Sequence, residues 1–141
     1  MKNLEIKINH IAYVVENIDT YLKKNVFFLN FAEISKIMIN KIQKVRQCFI
    51  IFFDSPSIEI LEPLNETSPL YSFLKKGGGF HHICYETQDI LETIQYFKKL
   101  NAVNLCEPYD DIAFLNAKIA FVYYQNSVIE LIQYNKENTN E

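Results

Sequence analysis

Residues 6–15 alternate between apolar and polar side chains and are rich in Ile and Val, a period of two that predicts a strand. The period then lengthens. Asn17 can cap a helix over residues 18–29, where Ile18, Tyr21 and Leu22 fall on one face. Residues 31–39, 45–53 and 57–63 read as three further strands, the last two joined through the turn residues Asp54-Ser55-Pro56-Ser57. Ser68-Pro69 starts a short helix through Leu70, Phe73 and Leu74, which Gly77 can close in a left-handed conformation. Residues 80–87 return to a strand. Asp89 caps the next helix with Glu92 three positions on, and Ile90, Ile94, Phe97 and Leu100 form its apolar face. Weaker strands are expected near 102–106 and 111–115, and strong ones at 118–124 and 127–134, with Asn126-Ser127 at the turn between them.

The order β-α-β-β-β therefore occurs twice. The residues repeat with it: His10-Ile11-Ala12-Tyr13 reappears 72 positions on as His82-Ile83-Cys84-Tyr85, and Ser57-Ile58-Glu59-Ile60-Leu61 reappears 71 positions on as Val128-Ile129-Glu130-Leu131-Ile132. The hairpin from Phe49 to Glu59 matches that from Ala120 to Glu130 without a gap. The implied organisation is a first βαβββ module over 1–66, a connecting helix and glycine-rich linker over 67–79, a second module over 80–136, and a frayed tail over 137–141. One small module cannot cover both faces of its sheet. The fold class that answers this is α+β, with paired βαβββ modules forming a curled mixed sheet around a central cleft on which equivalent positions converge.

Composition narrows the function. With 141 residues and 49% hydrophobic content the chain can form one compact domain. A formal charge of -3 and a pI near 5.6 offer no basic stripe for nucleic acid. Arg46 is the single arginine, and the lysine pairs 23–24, 75–76 and 98–99 read as solvated helix ends, with Lys75 and Lys76 the candidates for a phosphate. Cys48, Cys84 and Cys106 are widely spaced and odd in number, which suggests a reducing cytoplasm, and Cys48 and Cys84 lie in apolar strand patterns that read as buried. No apolar run reaches membrane-spanning length. Asp110-Asp111 is expected in a solvated turn.

The repeated residues carry the chemistry. Two of the three histidines occupy equivalent positions, and Glu59 and Glu130 each interrupt an apolar strand, where an uncompensated carboxylate is costly. Two imidazoles and two carboxylates make a four-ligand site for a divalent ion, a donor set that suits Zn²⁺, Ni²⁺, Co²⁺, Mn²⁺ or Fe²⁺. His81, next to His82 in a strand, points to the opposite face and reads as a supporting residue. Tyr13 and Tyr85 face away from the histidines and read as core.

These residues resemble the vicinal oxygen chelate superfamily, which includes glyoxalases, methylmalonyl-CoA epimerase, extradiol dioxygenases and bleomycin-resistance proteins. The resemblance runs from Ile6 to Tyr134. It rests on Asn9-His10-Ile11-Ala12, on Ile58-Glu59-Ile60-Leu61-Glu62-Pro63, on Gly77-Gly78-Gly79-Phe80-His81-His82-Ile83, and on Ile129-Glu130-Leu131. The doubled histidine after a glycine-rich approach, and the Leu-Glu-Pro after Glu59, look most like methylmalonyl-CoA epimerases. The resemblance implies metal ligands at His10, Glu59, His82 and Glu130, enolisation of a metal-bound acyl-CoA, Glu130 as general base with Glu59 as the symmetry-related second group, and a homodimer. A glyoxalase I-like lyase is the alternative, although the first-strand arginine usual there is absent from Ile11-Ala12-Tyr13-Val14. A non-catalytic metal or small-molecule binding protein of the same fold is the third reading. The extra carboxylate that epimerases tend to carry before the first hairpin is absent from Ile42–Gln47.

Overall fold

The computed structural model describes residues 5–135. The tail expected over 137–141 lies outside the described residues. Contacts divide the chain into two compact units, one of His10–His82 and one running from Ile83 onward that also takes in the described residues up to Asn9.

The unit His10–His82 is built on β1 (Ile6–Val14), which enters it at His10. Asn17 caps α1 (Ile18–Lys24) by accepting the N–H of Thr20 at 2.9 Å. A second contact fixes the helix start: Glu62 Oε1 accepts the N–H of Ile18 at 2.8 Å and is also held by Arg46 at 3.2 Å. The single helix expected over 18–29 is in fact two. Asn25 leaves the helical region (φ −118°, ψ 52°) and its side chain donates to Tyr21 O at 2.9 Å, the kind of local bond by which Asn competes with a helix backbone. The chain then restarts as α2 (Phe27–Phe31).

The strand expected over 31–39 is likewise split, into β2 (Glu33–Ile34) and β3 (Met38–Asn40), which both pair with β4 (Val45–Ile51). Ser35 causes the break. Its hydroxyl accepts the N–H of Phe49 at 2.7 Å while its own N–H donates to Phe49 O, so a side chain takes a place in the ladder. β5 (Ser57–Pro63) runs antiparallel to β4 and parallel to β1, giving the strand path β2-β4-β5-β1 in a mixed sheet. One face carries Cys48, Ile50 and Ile60 under α1 and α2. The other carries Ala12, Val14, Val45 and Leu61 under Leu70, Phe73 and Leu74.

α3 (Tyr71–Lys75) leads into β6 (Gly79–Thr87) through the three glycines. The left-handed residue is Gly78 (φ 64°), whose N–H closes on Phe73 O; Gly77 sits at φ 124°. A Cβ on Gly78 would lie 2.7 Å from the carbonyl oxygen of Val14. Gly78→Ala is therefore expected to cost about 1–3 kcal/mol, from positive φ and a backbone clash together. A thermal melt checks this, and an unchanged midpoint would contradict the contact.

The other unit repeats the same devices. Asp89 caps α4 (Ile90–Lys99) by accepting the N–H of Glu92, and Gln133 Oε1 accepts the N–H of Ile90 at 2.8 Å, the place Glu62 and Ile18 take in the first copy. Ile90 and Ile94 are buried against Ala120, Val122 and Leu131, with Phe97 packed alongside, while Leu100 lies at the exposed end of the helix. β7 (Val103–Asn104) is shorter than expected, and β8 (Tyr109–Asp110) precedes the expected 111–115. There the chain turns instead, because the Asp111 carboxylate accepts the N–H of Ala113. Asp111 is buried rather than solvated, and Asp110 pairs with Lys118 at 3.0 Å. β9 (Ala117–Tyr124) and β10 (Ser127–Tyr134) complete the path β7-β9-β10-β6.

The two hairpins do not align without a gap. Glu59 stands opposite Phe49, but Glu130 stands opposite Phe121, not Ala120. The one-residue offset falls at the turns. The first hairpin uses a loop with Asp54 at φ 49°. The second uses Gln125 and Asn126 with both φ positive, a tight two-residue turn matched to strand twist.

Candidate metal centre

His10 stands on β1 with Ala12 and Val14, and Glu59 stands on β5 beside it in parallel register, where Ala12 is the partner of Glu59. His82 stands on β6. All three side chains are buried: His10 at 0%, Glu59 at 5% and His82 at 3% exposure. One carboxylate oxygen serves both imidazoles. Glu59 Oε1 lies 3.5 Å from His10 Nε2 and 3.9 Å from His82 Nε2, and the two rings stand edge to face at 5.8 Å between centroids. The other carboxylate oxygen, Oε2, accepts the side-chain N–H of Gln47 at 3.1 Å. Glu130 is buried on β10. His10, Glu59, His82 and Glu130 each offer one ligand atom, and these atoms all lie within 4.8 Å of one another.

The geometry fits a divalent cation better than a hydrogen-bonded cluster. Separations of 3.5 and 3.9 Å are long for hydrogen bonds to a carboxylate. Ligands held at about 2.1 Å from one ion in a tetrahedron stand about 3.4 Å apart, close to these values. Two buried carboxylates also bring two formal negative charges into a low-dielectric setting, and a divalent ion balances them. A buried acceptor is left over as well: among the described residues nothing hydrogen-bonds Gln47 Oε1.

His81 departs from the expectation that it faces away. Its Nδ1 approaches His82 Nδ1 to 2.7 Å, and its ring packs edge-on against Phe73 at 4.9 Å. Were His82 Nε2 to ligate a metal, His82 Nδ1 would carry the proton and donate to His81, the support a ligating imidazole ordinarily has. Phe49 lies edge-on to His10 at 5.6 Å and walls the site. Sequence reading passed over Gln47 and Phe49. The available signal was alternation along β4, which puts Val45, Gln47 and Phe49 on one face and leaves an uncharged polar residue among apolar ones.

A sequence model described as the glyoxalase/bleomycin resistance protein/dioxygenase superfamily matches residues 9–121, a span that holds three of the four cluster residues. The chain belongs to that superfamily. Its similarity to a mitochondrial methylmalonyl-CoA epimerase of Dictyostelium discoideum is 30% identity over 83% of this chain and 70% of that protein. Among solved structures, a hypothetical protein of Bacillus halodurans C-125 superposes with a TM-score of 0.81 at 28% identity, over 96% of this chain and 99% of that one. Streptomyces coelicolor methylmalonyl-CoA epimerase, in complex with 2-nitronate-propionyl-CoA, superposes with a TM-score of 0.79 at 24% identity, over 92% and 98%. The glyoxalase-like α+β fold is common to this chain and both solved structures.

For this member of the superfamily the thiols are not part of the site. Among the described residues Cys48, Cys84 and Cys106 form no disulfide. Burial, reinforced by the Glu59 and Asp19 carboxylates and opposed by Arg46, pushes Cys48 from 9.0 up to about 11. Burial also raises Cys106. The folded thiol thus keeps its proton to higher pH than the unfolded one, so the stability linked to Cys48 is intact below pH 9 and is lost as pH rises toward about 11. Alkylation of Cys48 at pH 8 is expected to run about 100-fold slower than in the unfolded chain. Mass spectrometry after iodoacetamide treatment checks this, and rapid labelling of folded protein would contradict it. Among the described residues no helix is long and apolar enough to cross a membrane.

Proposed function

We propose that this chain is a divalent-metal-dependent isomerase that enolises an acyl-CoA, in the manner of a methylmalonyl-CoA epimerase. The observation that carries the reading is the buried set His10, Glu59, His82 and Glu130, two neutral and two anionic donors grouped tightly enough for one ion. The similarity to a named methylmalonyl-CoA epimerase over most of the chain supports the substrate class, as does the acyl-CoA analogue in the Streptomyces structure.

In this reading the four side chains are the ligands, and the bound cation supplies Lewis-acid polarisation of the thioester carbonyl. The protein residues move the protons. Glu130 takes the proton from the carbon next to the carbonyl, and the C–H electron pair moves into the enolate. Glu130 then releases that proton to solvent and a proton from water returns to the opposite face of the enolate, while Glu59, the equivalent carboxylate of the other copy, stays ionised. Gln47 donates to Glu59 Oε2, so Glu59 stays a ligand and Glu130 is assigned the role of base.

The test is hydrogen exchange. With methylmalonyl-CoA in deuterated water, metal-loaded protein is expected to exchange the C2 hydrogen and interconvert the epimers. Turnover of a glutathione hemithioacetal without acyl-CoA exchange would replace this reading with a glyoxalase I-like lyase. Metal binding with neither reaction would reduce the protein to a binding module.

A further inference from the structure

Gln47 does something the repeat does not ask for. It is 2% exposed, on the same face of β4 as Phe49, and its amide donates to Glu59 Oε2 at 3.1 Å. Glu59 accepts and does not donate when ionised, so the amide is turned with its nitrogen toward the carboxylate. That leaves Glu59 Oε1 toward His10 and His82. Strand register gives the matching place in the second copy. Gln47 stands opposite Leu61 on β5, and Ile119 stands opposite Ile132 on β10; Leu61 and Ile132 each follow the site glutamate by two positions. Ile119 has no hydrogen to donate.

We infer that Gln47 is a positioning residue that orients Glu59 within the site. It anchors Glu59 by one oxygen, so that the other is held toward His10 and His82 as a ligand. The inference rests on the metal reading above and deepens it, by saying what holds Glu59. The amide carbonyl of Gln47 is buried and has no protein hydrogen-bond partner among the described residues.

The test uses the full chain stripped of metal and titrated with Co²⁺, read by chelator competition and by the visible absorption band of the cobalt. Gln47→Met keeps the volume and removes the amide. It is expected to weaken Co²⁺ binding about 10- to 100-fold, the usual cost of losing a group that orients a ligand, and to change the cobalt band. Cys48→Ala, on the opposite face of β4, loosens the same strand and is expected to leave the band unchanged. If Gln47→Met melts too early to titrate, Gln47→Asn keeps an amide too short to reach Glu59 and is expected to change the band in the same direction. Wild-type binding with Gln47 variants matching it in affinity and band would overturn the anchor and leave the metal reading standing. Wild-type protein that binds no Co²⁺ would overturn both.

Discussion

Glu130→Gln is expected to lower the rate of C2 hydrogen exchange in an acyl-CoA by about 10³-fold, the middle to upper part of what a well-placed general base contributes. The amide keeps the shape of the side chain and an oxygen that can still ligate, so the variant is expected to fold and to take up metal when it is supplied in excess. The loss then falls on the rate at saturating substrate rather than on substrate binding, as for an interaction made in the transition state. Glu59→Gln is the informative companion. It removes a charge from the ligand set and faces the Gln47 amide with another amide, so weakened metal binding accompanies its lower rate. Equal rates for wild type and Glu130→Gln under saturating metal would remove Glu130 from the chemistry.

His10→Ala is expected to weaken divalent-metal binding by more than about 100-fold, because changes even to groups that merely orient a ligand cost about 10- to 100-fold. His10 is fully buried against Glu59 and Phe49, so the substitution opens space as well as removing a nitrogen. The two effects separate with a chelator. A metal that binds only the folded chain stabilises it by about 4 kcal/mol at a thousand times its dissociation constant. Chelation should therefore lower the melting temperature of wild type and leave that of His10→Ala where it is. A chelator shift of the same size in both would show that the ion sits elsewhere.

Much of this was legible in the sequence because duplication prints each signal twice. Position in the repeat pairs His10 with His82 and Glu59 with Glu130, and residue type marks the caps at Asn17 and Asp89. What escaped was set by single side chains acting on the backbone. Asn25 ends a helix that its apolar period would have continued, and Ser35 replaces a ladder bond in a stretch that alternates well enough to look like one strand. Asp111 reads as a solvated turn residue yet is buried by the N–H it accepts. The hairpin offset was hidden for a different reason: a gapless match sets Ile51-Phe52-Phe53 against Val122-Tyr123-Tyr124, which looks as good as the true register. Gln47 was passed over because a lone glutamine in a strand carries no motif, and its role appears only when β4 and β5 lie side by side.

The central claim is a cation held by the two copies' histidines and glutamates, and elemental analysis of the protein purified without chelators tests it most directly. The expected result is about one divalent transition metal per chain in wild type and a small fraction of that in His10→Ala and His82→Ala. Wild-type protein that carries no such metal, and takes none up when it is offered, would contradict the account.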